Sequence, residues 1–159
     1  MSRRGEVGAA SRYTRYGGVM AECAFCMIET GSAPAAMVWS DDRLMAFLDT
    51  RPVFKGHTLL VPREHIVTLP DLPEHLLAPF LAMGQHLASA MVEALGAHGS
   101  FMGINNVVSQ TVPHLHLHIV PRTRGDKLRG FFWPRQSYAD DDERNAYAKS
   151  LHSYVEANA

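Results

Sequence analysis

The sequence predicts an α+β fold: a mainly antiparallel five-stranded sheet with one long helix and a second helix at the C-terminus. Short apolar segments separated by turn residues occupy positions 37–62, helical periodicity follows at 73–95, and further apolar segments come after it. Parallel strands each need a long crossover connection, and most of the connections expected here are too short for one. The 159 residues fit a single domain.

Three strands are expected before the long helix and two after it. Each is a short apolar run, and most are bounded by Asp, Pro or Gly, which favour turns because of their backbone preferences. The expected strands are residues 37–39, 43–49, 57–61, 101–106 and 114–120.

Two helices complete the prediction. Apolar residues recur at i, i+3 and i+4 from Pro73 to Leu95, which is the pattern of an amphipathic helix. Pro79 lies inside this stretch and removes one backbone hydrogen bond, so we expect either a kink near Ala78 or two consecutive helices. The acidic residues 140–143 then open the C-terminal helix, since carboxylates are favourable at a helix N-terminus.

Composition and charge exclude several classes of protein. The formal net charge is −1, which argues against a dedicated nucleic-acid binder. No apolar run could cross a membrane, the start lacks a signal-peptide core, and two cysteines cannot build a disulfide framework, so we expect a cytoplasmic protein.

The charge is unevenly distributed. Residues 1–20 carry +3 without any periodicity, and residues 21–159 carry −4. We therefore expect a disordered basic tail at 1–20 and a folded domain at 21–159. The tail could also be an arm for an anionic partner, or lie upstream of a translation start at Met20.

Three of the nine histidines alternate with apolar residues near the end of the chain. On a strand, His114, His116 and His118 would share one face, and the intervening apolar residues would face the core. Neutral imidazole is both a common metal ligand and a competent nucleophile, so the residue type leaves both roles open. A purely structural histidine face is the third alternative.

The two cysteines, Cys23 and Cys26, form a C-x-x-C pair. A zinc ion needs about four ligands in tetrahedral arrangement, and this pair would supply two of them. A redox-active pair is the alternative, but no thioredoxin-like βαβ pattern surrounds it.

The segment from His114 to Val120 resembles the His-φ-His-φ-His-φ-φ signature of the histidine triad (HIT) superfamily of nucleotide hydrolases and transferases. Other segments follow the order seen in its bacterial zinc-containing members. These segments are Cys23–Ile28, Asp42–Asp49, Gly56–His65, Asn105–Asn106 and Gln110–Thr111. The resemblance covers about residues 22 to 157 and implies the HIT fold.

The resemblance implies a role for each matching residue. His116 would be the nucleophile that attacks the α-phosphate of a nucleotide, forming a covalent nucleotidyl-histidine that water or another acceptor then releases. His118 and His57 would stabilise charge at the phosphate. The implied substrate contacts are Asn105, Gln110 and Thr111 at the phosphates and leaving group, Asp49 at the ribose, and Phe25, Ile28 and Phe47 around the base. For the aromatic residues, plain core packing is the alternative.

The resemblance also implies a structural Zn²⁺ held by Cys23, Cys26, His65 and His114. Further implications are a homodimer and a purine nucleotide substrate, such as a nucleoside phosphoramidate or a dinucleoside polyphosphate. Two alternatives remain open. The histidine row could be the catalytic metal site of a zinc-dependent hydrolase, or the protein could bind nucleotides without catalysis.

Two segments differ from the family pattern or leave a role open. Residues 107–109 read Val-Val-Ser where the family has a glycine-rich segment near the phosphates, and glycines there permit close approach and positive φ. The aromatic segment Phe131–Trp133 lies where family members reach toward the partner subunit's pocket. It could set specificity or close the core or the dimer interface.

Overall fold

The computed structural model describes residues 23–128 and 137–158. The chain divides into two compact units, Met1–Asp126 and Lys127–Ala159. The expected basic tail at 1–20 and the aromatic segment at 131–133 lie outside the described residues.

Among the described residues, the first unit contains two helices, a short 3₁₀ turn and five strands, and the second unit contains one helix. In chain order they are α1 (Ala24–Glu29), β1 (Met37–Ser40), β2 (Leu44–Leu48), β3 (Thr58–Pro62), the 3₁₀ turn (Leu69–Asp71), α2 (Glu74–Glu93), β4 (Gly99–Gly103), β5 (Leu117–Arg122) and α3 (Asp141–Asn158). Within the described residues, no helix has the length and hydrophobicity needed to cross a lipid bilayer.

The five strands form one antiparallel sheet in the order β1-β2-β3-β5-β4. This confirms the predicted α+β class and the five-stranded antiparallel sheet. Strand β5 lies between β3 and β4, and its His118 is opposite Leu59 of β3. The histidine-rich segment therefore enters the sheet at an interior position.

The two faces of the sheet carry separate apolar clusters because successive strand residues point to opposite sides. One face packs under α2, with Leu44, Ala46 and Leu60 among its buried residues. A Cβ at Gly84 of α2 would lie 2.8 Å from Leu117 Cδ2, so a larger residue there would displace the Leu117 side chain. The opposite face carries the smaller cluster, which we call the α1 cluster: Cys23, Phe25, Met45, Phe47, Leu59 and Val61.

The helix α2 runs unbroken through Pro79, so the alternative of two consecutive helices is wrong. Pro79 lies in the second turn, where its missing N–H costs only the bond to residue 75. Leu76 and Phe80 are buried on either side of that turn and hold the helix against the sheet.

Strand β5 begins at Leu117, three residues later than expected. The preceding segment is tied elsewhere, since Leu115 N–H donates to the Ile66 carbonyl at 2.6 Å. The alternation persists nevertheless: Leu115, Leu117 and Ile119 join the cluster under α2. Similarly, β4 ends at Gly103, so Asn105 lies in the following loop.

Candidate functional site

Two cysteines and two histidines from three separate parts of the chain meet beside the α1 cluster. The ligand atoms of Cys23, Cys26, His65 and His114 all lie within 4.8 Å of one another. Cys26 Sγ is 3.2 Å from His65 Nδ1, and Cys23 Sγ is 3.5 Å from His114 Nδ1. Two sulfurs and two imidazole nitrogens fit the donor set that Zn²⁺ prefers in structural sites.

The ring of His114 is already oriented for such a site. Its Nε2–H donates to the Pro62 carbonyl at 2.8 Å, so Nδ1 keeps its lone pair toward the sulfurs. Burial lowers the pKa of His114 to about 4, which keeps the ring neutral at pH 7. Burial and the neighbouring Cys23 raise the pKa of the Cys26 thiol to about 11, so a metal would have to displace its proton.

His116 follows in the same segment and has one fixed tautomer. Its Nδ1–H donates to the backbone carbonyl of His114 at 2.7 Å, which leaves the lone pair on Nε2. The side chain is 4% exposed, and its ring lies 5.4 Å from Phe25 and 4.7 Å from His118, centroid to centroid. A neutral imidazole with a free Nε2 lone pair can act as a nucleophile.

His118 and His57 form a hydrogen-bonded pair next to His116. His57 Nε2 lies 3.0 Å from His118 Nδ1, and Val53 N–H donates to His57 Nδ1 at 3.3 Å. Because His57 Nδ1 accepts, its Nε2–H donates to His118, and His118 retains an Nε2–H for another acceptor. Asp49 Oδ2 lies 3.5 Å from His57 Nδ1.

Burial lowers the pKa of both rings, that of His118 to about 4. The unfolded chain, with a histidine pKa near 6.5, binds more protons than the folded chain between pH ~6.5 and pH ~4. The stabilisation from neutral His118 is thus present above pH ~6.5 and is lost as the pH falls toward 4, by up to about 1.4 kcal/mol per pH unit.

We therefore expect His118→Asn to lose part of the acid sensitivity of the wild type. Urea unfolding at pH 7, 6 and 5 measures the slope of stability against pH. Both proteins lose any bound metal in acid, so only their difference reports on His118. Equal slopes of stability against pH in the two proteins would show that His118 does not cause this acid sensitivity.

The residues expected around a base lie in or against the α1 cluster. Phe25 and Phe47 are 7% and 3% exposed, with ring centroids 5.3 Å apart, and half-buried Ile28 packs against the cluster. One carboxylate oxygen of Asp49 stabilises the turn that follows it, since Oδ1 accepts Arg51 N–H at 2.8 Å.

In the loop before the histidines, the side chain of Gln110 makes two hydrogen bonds that stabilise the loop. Its Nε2–H donates to the Val67 carbonyl at 2.6 Å, and its Oε1 accepts Val107 N–H at 2.8 Å. Asn105 and Thr111 are exposed. Gln110 is one of the three expected phosphate contacts, and its side-chain amide already makes the hydrogen bonds that stabilise the loop.

The same loop contains a strained valine. Val107 has φ +69°, a left-handed conformation that β-branched residues rarely adopt. Such strain costs roughly 1–3 kcal/mol, whereas glycine at this site would cost about 0.5–1 kcal/mol in unfolded-chain entropy. We expect Val107→Gly to raise the free energy of unfolding by about 1 kcal/mol, measured by denaturant titration.

The neighbouring Val108 gives the matched control. It is not among the described residues with positive φ, so Val108→Gly should lower stability by about 0.5–1 kcal/mol. A loss of stability in both variants would mean that Val107 is not strained.

Sequence reasoning missed the short helix α1 and the backbone groups that orient His114 and His57. The helix has six residues, too few for a periodic pattern to identify it. The Pro62 carbonyl and the Val53 N–H carry no side-chain signal, so only the folded chain identifies them as partners.

Metal-binding geometry divides the histidine row. Within the described part of the chain, one candidate ligand group contains His114 with the cysteines and His65, and the other contains Asp49, His57 and His118. His116 belongs to neither group. This arrangement favours separate tasks for the three histidines over one metal bound by the whole row.

Comparison with known proteins gives consistent matches. The HIT domain family model matches residues 30–125. An uncharacterized HIT-like protein of Mycobacterium tuberculosis is 43% identical over 108 residues, 67% of this chain and 75% of the relative. An adenosine 5′-monophosphoramidase of Saccharomyces cerevisiae is 29% identical over 140 residues, 87% of this chain and 85% of the relative.

A solved structure adds a metal-bound relative. The Zn-bound histidine triad family protein from Mycobacterium smegmatis superposes with a TM-score of 0.66 at 38% identity, covering 86% of this chain and 99% of that one.

Proposed function

The chain belongs to the HIT domain family, and from this premise we propose that it cleaves nucleotides at the α-phosphate through a covalent nucleotidyl-histidine. The observation that carries the proposal is the tautomer of His116, whose Nδ1–H is held by the His114 carbonyl and whose Nε2 keeps its lone pair. The family includes relatives named as nucleotide hydrolases, among them the yeast phosphoramidase.

The proposed reaction has two steps at phosphorus. His116 Nε2 attacks the α-phosphorus, the N–P bond forms, and the bond to the leaving group breaks as that group takes a proton from solvent. Water or another acceptor then attacks the same phosphorus, loses a proton to solvent, breaks the N–P bond and releases the nucleoside monophosphate. His118 Nε2–H would donate to the phosphate oxygens, and His57 would orient His118.

The remaining contacts complete the proposed substrate site. A purine would lie beside Phe25, Ile28 and Phe47, its ribose beside Asp49, and the leaving group near Asn105, Gln110 and Thr111. The likeness to an adenosine phosphoramidase favours a nucleoside phosphoramidate as the first substrate to test, ahead of a dinucleoside polyphosphate.

We further propose that Cys23, Cys26, His65 and His114 hold a structural Zn²⁺. The donor set and the orientation of His114 support this, as does the likeness to a Zn-bound HIT protein. A zinc ion at this position would cross-link α1 to the segments before β5 and after β3.

The direct test is product release from adenosine 5′-phosphoramidate and from diadenosine polyphosphates, with AMP measured by chromatography. We expect AMP from at least one of them and, after rapid acid-free quenching, a peptide containing His116 with the mass of a bound adenylate. Tight AMP binding without turnover on the whole panel would support the non-catalytic alternative instead.

We propose a homodimer whose interface is formed by exposed apolar residues of the first unit. Strand β4 is an edge of the sheet with Phe101 and Met102 about 38% and 37% exposed, and α2 exposes Leu77 and Leu81 away from its buried face. We place the proposed interface on these exposed apolar residues because exposed apolar patches often mark protein–protein contacts.

We expect Leu81→Glu to convert the dimer to a monomer, because a buried unpaired carboxylate is costly. Light scattering after size-exclusion chromatography measures the mass. Val38→Glu, on the opposite sheet edge β1, should remain dimeric. Dimeric Leu81→Glu protein would exclude this face.

A further inference from the structure

His114 connects the Cys–His cluster to His116 through a single residue. Its Nδ1 faces the sulfur of Cys23 at 3.5 Å, its Nε2–H is bound to Pro62, and its own carbonyl accepts His116 Nδ1–H at 2.7 Å. His114 therefore contributes its ring to the Cys–His cluster and its backbone carbonyl to the hydrogen bond that fixes the tautomer of His116.

Phe25 makes a second connection between the same two places. It lies between Cys23, the N-cap of α1, and Cys26, so the first turn of this short helix is held at the Cys–His cluster. Its ring meets His116 edge-on, with centroids 5.4 Å apart and planes at 80°, and it meets His114 at 5.6 Å. The side chain is 7% exposed and belongs to the α1 cluster, where its ring centroid lies 5.3 Å from that of Phe47.

These contacts restrict the His116 ring in complementary ways. The hydrogen bond from Nδ1 fixes which nitrogen faces the His114 carbonyl, and the edge-on contact with Phe25 limits the tilt of the ring about that bond. A nucleophile must be aligned with the reacting atom, and a misplacement of about 1 Å can cost about 100-fold in rate.

We propose that Phe25 is a positioning residue for His116, held in place by the Cys–His cluster. The Cys–His cluster and His116 are then coupled through α1, so that loss or binding of a metal at the cluster changes the orientation of the His116 ring. The proposal deepens the proposed function and rests on it for its kinetic consequence.

The proposal differs measurably from a base-binding role for Phe25. If the ring only bordered a purine, Phe25→Leu would raise KM and change the preference between adenosine and guanosine substrates while leaving kcat unchanged. If it also positions His116, kcat falls by about tenfold for both bases, in addition to any change in KM.

A spectroscopic measurement tests the positioning without any turnover. Long-range ¹H–¹⁵N correlation spectra at fixed pH report the tautomer and the Nδ1–H signal of His116. We expect a single Nδ1–H tautomer with a slowly exchanging proton in the zinc-loaded wild type. We expect a faster-exchanging proton in zinc-loaded Phe25→Leu.

Met45→Ala is the matched control. Met45 belongs to the α1 cluster and is 1% exposed, but it lies outside the proposed catalytic and binding residues. It should lower the melting temperature at least as much as Phe25→Leu while leaving kcat and the His116 signal unchanged. Equal effects of the two variants on the signal would overturn the proposal, because general loosening of the cluster would then explain both.

The role of the Cys–His cluster is tested on the wild type by chelation. Removing zinc should change the His116 signal in the same direction as Phe25→Leu, and chelating the Phe25→Leu variant should add little. An unchanged signal on chelation would overturn the coupling. Absence of turnover on every substrate, with these spectral changes present, would refute the proposed function and leave the positioning intact.

Discussion

Replacing His116 with Ala is expected to lower the turnover of adenosine 5′-phosphoramidate by roughly 10⁴-fold or more, the scale seen when a catalytic nucleophile is removed. His116 would supply the atom that bonds to phosphorus, and no neighbouring ring can replace it. His118 Nδ1 is engaged with His57, and both nitrogens of His114 face other partners. The variant should also lose the adenylated His116 peptide.

Two controls make this result specific. His86 lies on the exposed side of α2, and His86→Ala should keep the full rate. Because His116 is buried, the melting temperature and AMP binding of His116→Ala must show that the fold and the site persist. Folded His116→Ala protein with wild-type turnover would exclude a nucleotidyl-His116 intermediate.

Removing zinc from the zinc-loaded protein is expected to lower its free energy of unfolding by about 4 kcal/mol, if the free metal stood about a thousandfold above its dissociation constant. In a chain of this size, that corresponds to a fall in melting temperature of roughly 8–16 °C. The physical reason is that the metal binds ligands which only the folded chain brings together. Calorimetry with and without chelator gives the shift, and elemental analysis gives one zinc per chain.

The double variant Cys23→Ser/Cys26→Ser is the control for this effect. Without its thiolates it should start from the lower melting temperature and show no further change with chelator. Turnover separates the structural from the catalytic role of the metal. Below the melting transition, chelated protein should keep a reduced rate, about a tenth of the original. Complete loss that added zinc restores at once would instead favour the catalytic-metal alternative.

Local patterns predict the fold class and most of the elements. The strand bounds of β1, β2 and β3 differ from expectation by at most one residue at each end, because alternating apolar residues and turn residues define them within a few positions. The periodicity of α2 predicts that helix equally well. Its continuity through Pro79 is not predictable in this way, because anchoring by Leu76 and Phe80 depends on the sheet beneath them.

Periodicity also overstates which residues of α2 are buried. Leu77 and Leu81 belong to the same apolar pattern as Leu76 and Phe80, yet they lie on the exposed side. A helix with apolar residues on more than one stripe does not reveal from its sequence which stripe meets the sheet.

The sequence by itself determined the fold class and the motifs of this protein: an α+β domain, a C-x-x-C pair, and histidines that alternate with core residues. Period-two alternation is a local property, so the spacing of Leu115, Leu117 and Ile119 is enough to assign them to the core. Only the tertiary structure decided the contact distances and the tautomers of the histidines. Cys23 and His114 are 91 residues apart, and the carbonyls and N–H groups that select each tautomer belong to the backbone. These backbone groups cannot be recognised from residue type, so folding alone brings them into contact with the histidine rings. Folding also places His65 and His114 beside the cysteines and leaves His116 with a lone pair on Nε2.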